Sequence, residues 1–221
     1  QEGGRVARLP RQWSTATSGN MAIGATYANH SDKFATLTGE VLGAELNSLG
    51  INVNHGPTVD VNVNPRNPVI NIRSFGESAT EVAQLGIAQA RAMQVEGVVA
   101  TLKHFPGHGD TSVDSHTGLP RVEHSFTEVK SVDLLPFQQA IDAGVAKMIM
   151  TAHIQYPELD SSTFVAKSGK TMIKPATMSR TILTDLLRQQ MGFNGVVVTD
   201  ALDMAGVSEF FDEPQAVIET F

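Results

Sequence analysis

From about Lys33 onward, short β-branched runs alternate with longer runs of helical spacing. Chains with that rhythm pair their strands in parallel through right-handed helical crossovers. Asp32 to Leu49 predicts a helix with Phe34, Leu37, Val41, Leu42, Leu46 and Leu49 on one stripe, stopped by Gly50. Ile51 to Val61 reads as a strand. Ser78 and Glu81 have capping-box spacing at the start of a helix that turns Val82, Leu85, Ala88, Ala92 and Val95 inward and ends at Gly97. Val98 to Phe105 is the next strand. Ser125 and Glu128 repeat the capping box, Pro136 marks a kink or restart, and Gly144 precedes a strand from Lys147 to Ala152. Ser179 caps a helix with Ile182, Leu183, Leu186 and Leu187 inward; Gly192 ends it, and a Val-rich strand runs from Gly195 to Asp200.

Four strands end in reactive groups: Asp60, the Lys103-His104 pair, His153 and Asp200. In a (β/α)8 barrel all these ends meet on one face, whereas an open doubly wound sheet gathers only those near its switch point. Convergence favours the barrel. A typical barrel needs ~250 residues and eight strands, and the chain has 221 residues with about four complete strands. The expectation is therefore a partial α/β TIM barrel over residues 1–221, with its first and last βα units missing and no second domain. Such boundaries alone are expected to make a poorly stable, inactive protein with open sheet edges. The opening Gln1-Glu2-Gly3-Gly4-Arg5 has neither an initiator Met nor a signal-peptide pattern, so the native start is expected upstream.

Composition removes several function classes. Apolar residues make up 41% and charged residues 18%, which excludes a disordered chain. The formal net charge is −7 without any Lys/Arg cluster, which speaks against nucleic acid and anionic membrane as partners. No run reaches the ~18 apolar residues of a membrane span. Without cysteine there is no disulfide, thiolate zinc site or thiol nucleophile.

The densest polar segment is Lys103-His104-Phe105-Pro106-Gly107-His108-Gly109-Asp110, followed by Asp114-Ser115-His116. His104 and His108 have the spacing of a helical zinc pair, but Pro106, Gly107 and Gly109 preclude a helix there, so no metal is expected. A solvated loop with incidental histidines is the plainer reading. The third is acid/base catalysis by His116, with Asp114 able to fix its tautomer. Asp200, aimed into the barrel mouth, has the chemistry of a nucleophile, a base or a metal ligand, or of a helix cap, although Asp203 is better placed to cap. Most glycosidases use two carboxylates, and the partner of Asp200 could instead be the Asp114/His116 dyad. His30, His55 and His124 carry no signal, and Glu2 reads as a buried structural carboxylate.

Gln1-Glu2-Gly3-Gly4-Arg5-Val6, Lys103 to Gly109, Asp114-Ser115-His116, Met150-Thr151-Ala152-His153 and Val198 to Met204 resemble, in that order, the family 3 glycoside hydrolases, in their NagZ-type β-N-acetylglucosaminidase branch. The resemblance implies that Asp200 is the nucleophile, His116 the general acid/base and Asp114 its orienting partner. It implies further that Lys103, His104, Arg8 and Arg73 bind the sugar, without metal or cofactor. An Asp normally precedes Gln-Glu-Gly-Gly in that family, and nothing precedes Gln1 here. The implied activity is retaining release of terminal β-linked N-acetylglucosamine from cell-wall or chitin-derived oligosaccharides or glycopeptides. A neutral imidazole does not repel an anionic acceptor, so phosphorolysis is an alternative. So are a β-glucosidase and a non-catalytic sugar-binding barrel remnant. Cytoplasm and cell envelope both remain open as compartments.

Overall fold

A computed structural model describes residues 1–114 and 118–220. Its strands are β1 (Val53–Asn54), β2 (Val99–Phe105), β3 (Met148–Thr151), β4 (Thr163–Val165), β5 (Thr171–Ile173) and β6 (Val196–Thr199). β1, β2, β3 and β6 form one parallel sheet in that order, and β4 and β5 form a separate antiparallel hairpin. Within the parallel sheet each new strand is laid beside the previous one, with no reversal of direction. That winding is the barrel kind; a doubly wound sheet reverses at its switch point.

The expected strand over residues 51–61 is shorter than its sequence pattern. Only Val53–Asn54 is regular, and Pro57 has no N–H to offer a ladder. The segment nevertheless stays beside β2, because Thr101 N–H donates to Gly56 O at 2.9 Å and Val59 N–H to Lys103 O at 2.8 Å. This delivers Asp60 to the C-terminal end of β2. The other three expected strands lie within a residue or two of their predicted limits.

Helices Lys33–Ser48, Ala79–Val95 and Leu135–Asp142 pack successively against one another. The first was expected to bury Leu37 and Leu49, yet these are exposed, as is Val95 of the second. Gly39 and Gly43 explain the rotation of the first helix. A Cβ on Gly39 would lie 2.3 Å from Gln89 O, and one on Gly43 2.9 Å from Met93 O. The helices therefore touch backbone to backbone along a face of Ala35, Gly39, Leu42, Gly43 and Leu46, and the large residues beside that seam turn outward.

The expected caps form. Ser78 Oγ accepts from Glu81 N–H, and Ser125 and Glu128 make a complete reciprocal box. Pro136 marks a restart, from a π-helical turn at Val129–Asp133 to the helix Leu135–Asp142. Ser179 Oγ accepts from Ile182 N–H at 3.1 Å, heading the π-helix Thr181–Gln190. Asp203, in contrast, caps nothing: the short helix Ala205–Ser208 starts after Met204, without a side-chain cap. Among the described residues no helix is long and apolar enough to cross a membrane.

Candidate active site

The C-terminal ends of the parallel strands surround a cleft of about 490 Å³. Glu2, Arg8, His55, Arg73, Lys103, His104 and Asp200 line it together. Asp200 follows β6 directly. Its own N–H donates to Thr151 O at 3.1 Å, and its carboxylate accepts from Ala201 N–H at 2.9 Å. Burial works to raise the Asp200 carboxyl, but His104, the Ala201 amide, His153 and Lys103 outweigh it and hold the group below its ordinary value. A carboxylate kept ionised at a cleft wall can attack an electrophilic carbon.

Two buried carboxylates fix the polar wall opposite. Glu2 takes Arg73 in a forked ion pair, Nε to Oε2 at 2.9 Å and Nη2 to Oε1 at 2.7 Å, and Lys103 Nζ lies 2.7 Å from the same Oε1. Burial alone would raise Glu2, but Arg73 and Lys103 bring it down to about 2. Asp60, fully buried, accepts from His104 N–H at 3.0 Å and His108 N–H at 2.7 Å through Oδ1, and lies 2.8 Å from His104 Nδ1 through Oδ2. Against its burial, His104 and His108 hold Asp60 low. The Asp60 contact takes Nδ1 of His104, so a ligand in the cleft would be met by this ring through Nε2.

His153 is a buried histidine that steadies the backbone beyond the nucleophile candidate. Its Nε2 lies 3.0 Å from Ala201 O and its Nδ1 3.0 Å from Thr177 Oγ1. A neutral ring suits this pairing, and burial lowers its pKa.

The structure thus brings together Asp200, Lys103, His104, Arg73 and the exposed Arg8. Asp114 is half-buried in the loop beyond Thr111 and is not among the residues lining the cleft, and His116 lies outside the described residues. Sequence reasoning missed Glu2 and His55 as parts of the cleft, and Asp60, expected at the strand ends, lies buried behind His104 rather than on the cleft surface. Among the described residues no group of three or more His, Asp or Glu side chains is arranged to hold a metal ion.

Residues 1–221 match the family described as the glycosyl hydrolase family 3 N terminal domain. The chain belongs to glycoside hydrolase family 3. A relative named β-hexosaminidase A, from Pseudoalteromonas piscicida, is 60% identical over all of this chain and 37% of its own length. The β-hexosaminidase of Thiobacillus denitrificans is 37% identical over 94% of this chain and 54% of its own length. Among solved structures, a family 3 β-N-acetylglucosaminidase from Paenibacillus superposes with a TM-score of 0.91 at 42% identity, over all of this chain and 39% of that one. NagZ from Neisseria gonorrhoeae, in complex with N-trifluoroacetyl-D-glucosamine, superposes with a TM-score of 0.86 at 31% identity, over all of this chain and 60% of that one. The likeness gives the family 3 fold, TIM-barrel-like α/β, as the strand winding already indicated. The chain spans between 37% and 60% of the length of these relatives.

Proposed function

We propose that this chain carries the nucleophile and the sugar-binding wall of a retaining β-N-acetylglucosaminidase, as part of its catalytic barrel. The observation that carries the reading is the cleft itself: Asp200, its carboxyl held below the ordinary value, lines one space of about 490 Å³ with Lys103, His104 and Arg73. The names of the family 3 relatives favour N-acetylhexosamine over glucose, and turnover over binding alone.

In this mechanism an Asp200 oxygen attacks the anomeric carbon while the bond to the leaving oxygen breaks. Protonated His116 gives its proton to that oxygen. The neutral imidazole then takes a proton from water as the water oxygen attacks the same carbon, and the Asp200 ester bond breaks. Free N-acetylglucosamine leaves, Asp200 is a carboxylate again, and His116 is protonated as at the start. Two inversions retain the β configuration. Asp114 orients His116, and Arg73, Lys103 and His104 hold sugar hydroxyls.

Asp200→Ala in the intact protein is expected to abolish release of a chromogenic β-N-acetylglucosaminide, while the sugar still binds in equilibrium measurements. Ordinary turnover by that variant overturns the assignment. The matched β-glucoside is expected to be a much poorer substrate of the unaltered protein.

A further inference from the structure

The loop after β2 is not uniformly a loop. Its first residues are built into the body of the fold. Tyr156, fully buried, donates its hydroxyl to Gly107 O at 2.7 Å. Gly107 lies so close to Asp133 that a Cβ would fall 2.9 Å from the Asp133 Cβ, and Gly109 lies against the Val61 backbone. His108 O accepts from Asn67 Nδ2 at 2.7 Å, and Thr111 is fully buried. Ser112 and Val113 beyond it are exposed.

The returning limb is also fixed. Gln155 N–H donates to Pro120 O at 2.9 Å, and Gln155 O accepts from Val122 N–H at 3.0 Å. His124, two residues further, closes the gap between the limbs. Its Nε2 lies 3.2 Å from Asp110 Oδ2 on the outgoing limb, and its Nδ1 2.7 Å from the buried Asp133 Oδ2. Residues 111–123 lie between the two clasped positions, and this span contains Asp114 and His116.

We propose that His124, clasped between Asp110 and Asp133, pins the base of the segment carrying the acid/base dyad and is a positioning residue for His116. This rests on the acid reading of His116 given above. Both ring nitrogens face carboxylates, and only the imidazolium can donate to both. Asp133, Asp110 and the more distant Glu128 all favour that form, and the ring's pKa is raised accordingly, against its partial burial. Joining the two limbs at their base fixes the ends of the span, which limits the conformations open to the chain between them.

The test is the leaving-group dependence of kcat/KM in the intact protein, comparing a phenyl with a 2,4-dinitrophenyl β-N-acetylglucosaminide. The second needs almost no acid assistance. Asp110 is partly exposed, so Asp110→Ala is expected to leave the fold unaltered, with a melting temperature close to that of the parent. It is expected to lower kcat/KM for the phenyl glycoside about tenfold or more and to change the dinitrophenyl value less than about threefold. His124→Gln is expected to show the same split, and Asp110→Asn, which keeps an acceptor oxygen, to recover most of the loss. Equal losses on both substrates, or no loss on either, overturn the proposal. His116→Ala run in parallel separates the two readings. If it shows the split and the clasp variants do not, only the clasp falls; if it shows no split, the acid assignment falls and the clasp with it.

Discussion

The two histidine–carboxylate clusters on either side of the β2 loop combine the same residue types and shift a histidine in opposite directions. At the cleft, Asp60 takes the His104 ring through one oxygen and the backbone N–H groups of His104 and His108 through the other, while the His108 ring lies 2.6 Å from Thr111 Oγ1. His108, buried and beside His104, is pushed down to about 4. At the loop base, two carboxylates serve one half-buried histidine; His124 is held above its usual value, and burial raises Asp133. The direction of each shift follows from its first cause, burial for His108 and the Asp133 hydrogen bond for His124. His108 of the motif and His124, which no motif marked, differ for that reason.

The largest expected effect comes from removing the shared acceptor. Asp60→Ala leaves the His104 ring and two amides without a partner in a closed site, and urea unfolding is expected to show a loss on the order of 3–5 kcal/mol. A loss below about 1 kcal/mol would mean that the cleft cluster is no tighter than the loop clasp.

The clusters should also part company in pH. His108 sits at about 4 when folded against ~6.5 when unfolded. The unfolded chain therefore binds more protons between those values, and stability falls as pH drops from 6.5 to 4, by about 3 kcal/mol. His124 has the other sign. Its contribution is fully present below the unfolded value and is lost as pH rises through its raised folded value. NMR titration of the two rings checks both, with His108 neutral through pH 5 and His124 still charged above 6.5. A shared midpoint would erase the distinction.

Glu2 offers a smaller and more specific probe. Glu2→Gln leaves Arg73 and Lys103 without their counter-charge, and is expected to raise KM about tenfold, equivalent to ~1.4 kcal/mol, with kcat little changed. A fall in kcat at constant KM would move Glu2 from holding the wall to the chemistry. The stability cost of Asp110→Ala should be smallest, about 0.2–1 kcal/mol for a partly exposed ion pair, which makes its kinetic split readable.

Much of this architecture was legible in the chain. Period and turn residues located the main helices, and the polar residues closing each strand pointed to one convergent face. Local patterns did not reveal partners far apart in sequence. Glu2 and Arg73 are 71 residues apart, and nothing near either one shows that they meet. Gly39 and Gly43 were silent for another reason: hydrophobic periodicity scores large side chains, whereas the helix seam is set by their absence. His124 was unreadable because its role depends on two carboxylates brought to it by separate elements.

Glu2 has one more consequence, which concerns time. Ribosomes make chains from the N-terminus, and the carboxylate at position 2 precedes its partners at 73 and 103 and the nucleophile candidate at 200. At 5–20 residues per second, Glu2 waits roughly 5–20 s for Lys103. During that interval it is an anion without its cations, best kept in water, and its burial is postponed until β2 has been made. The Glu2, Arg73 and Lys103 wall is therefore assembled only after about a hundred further residues have been added beyond Glu2.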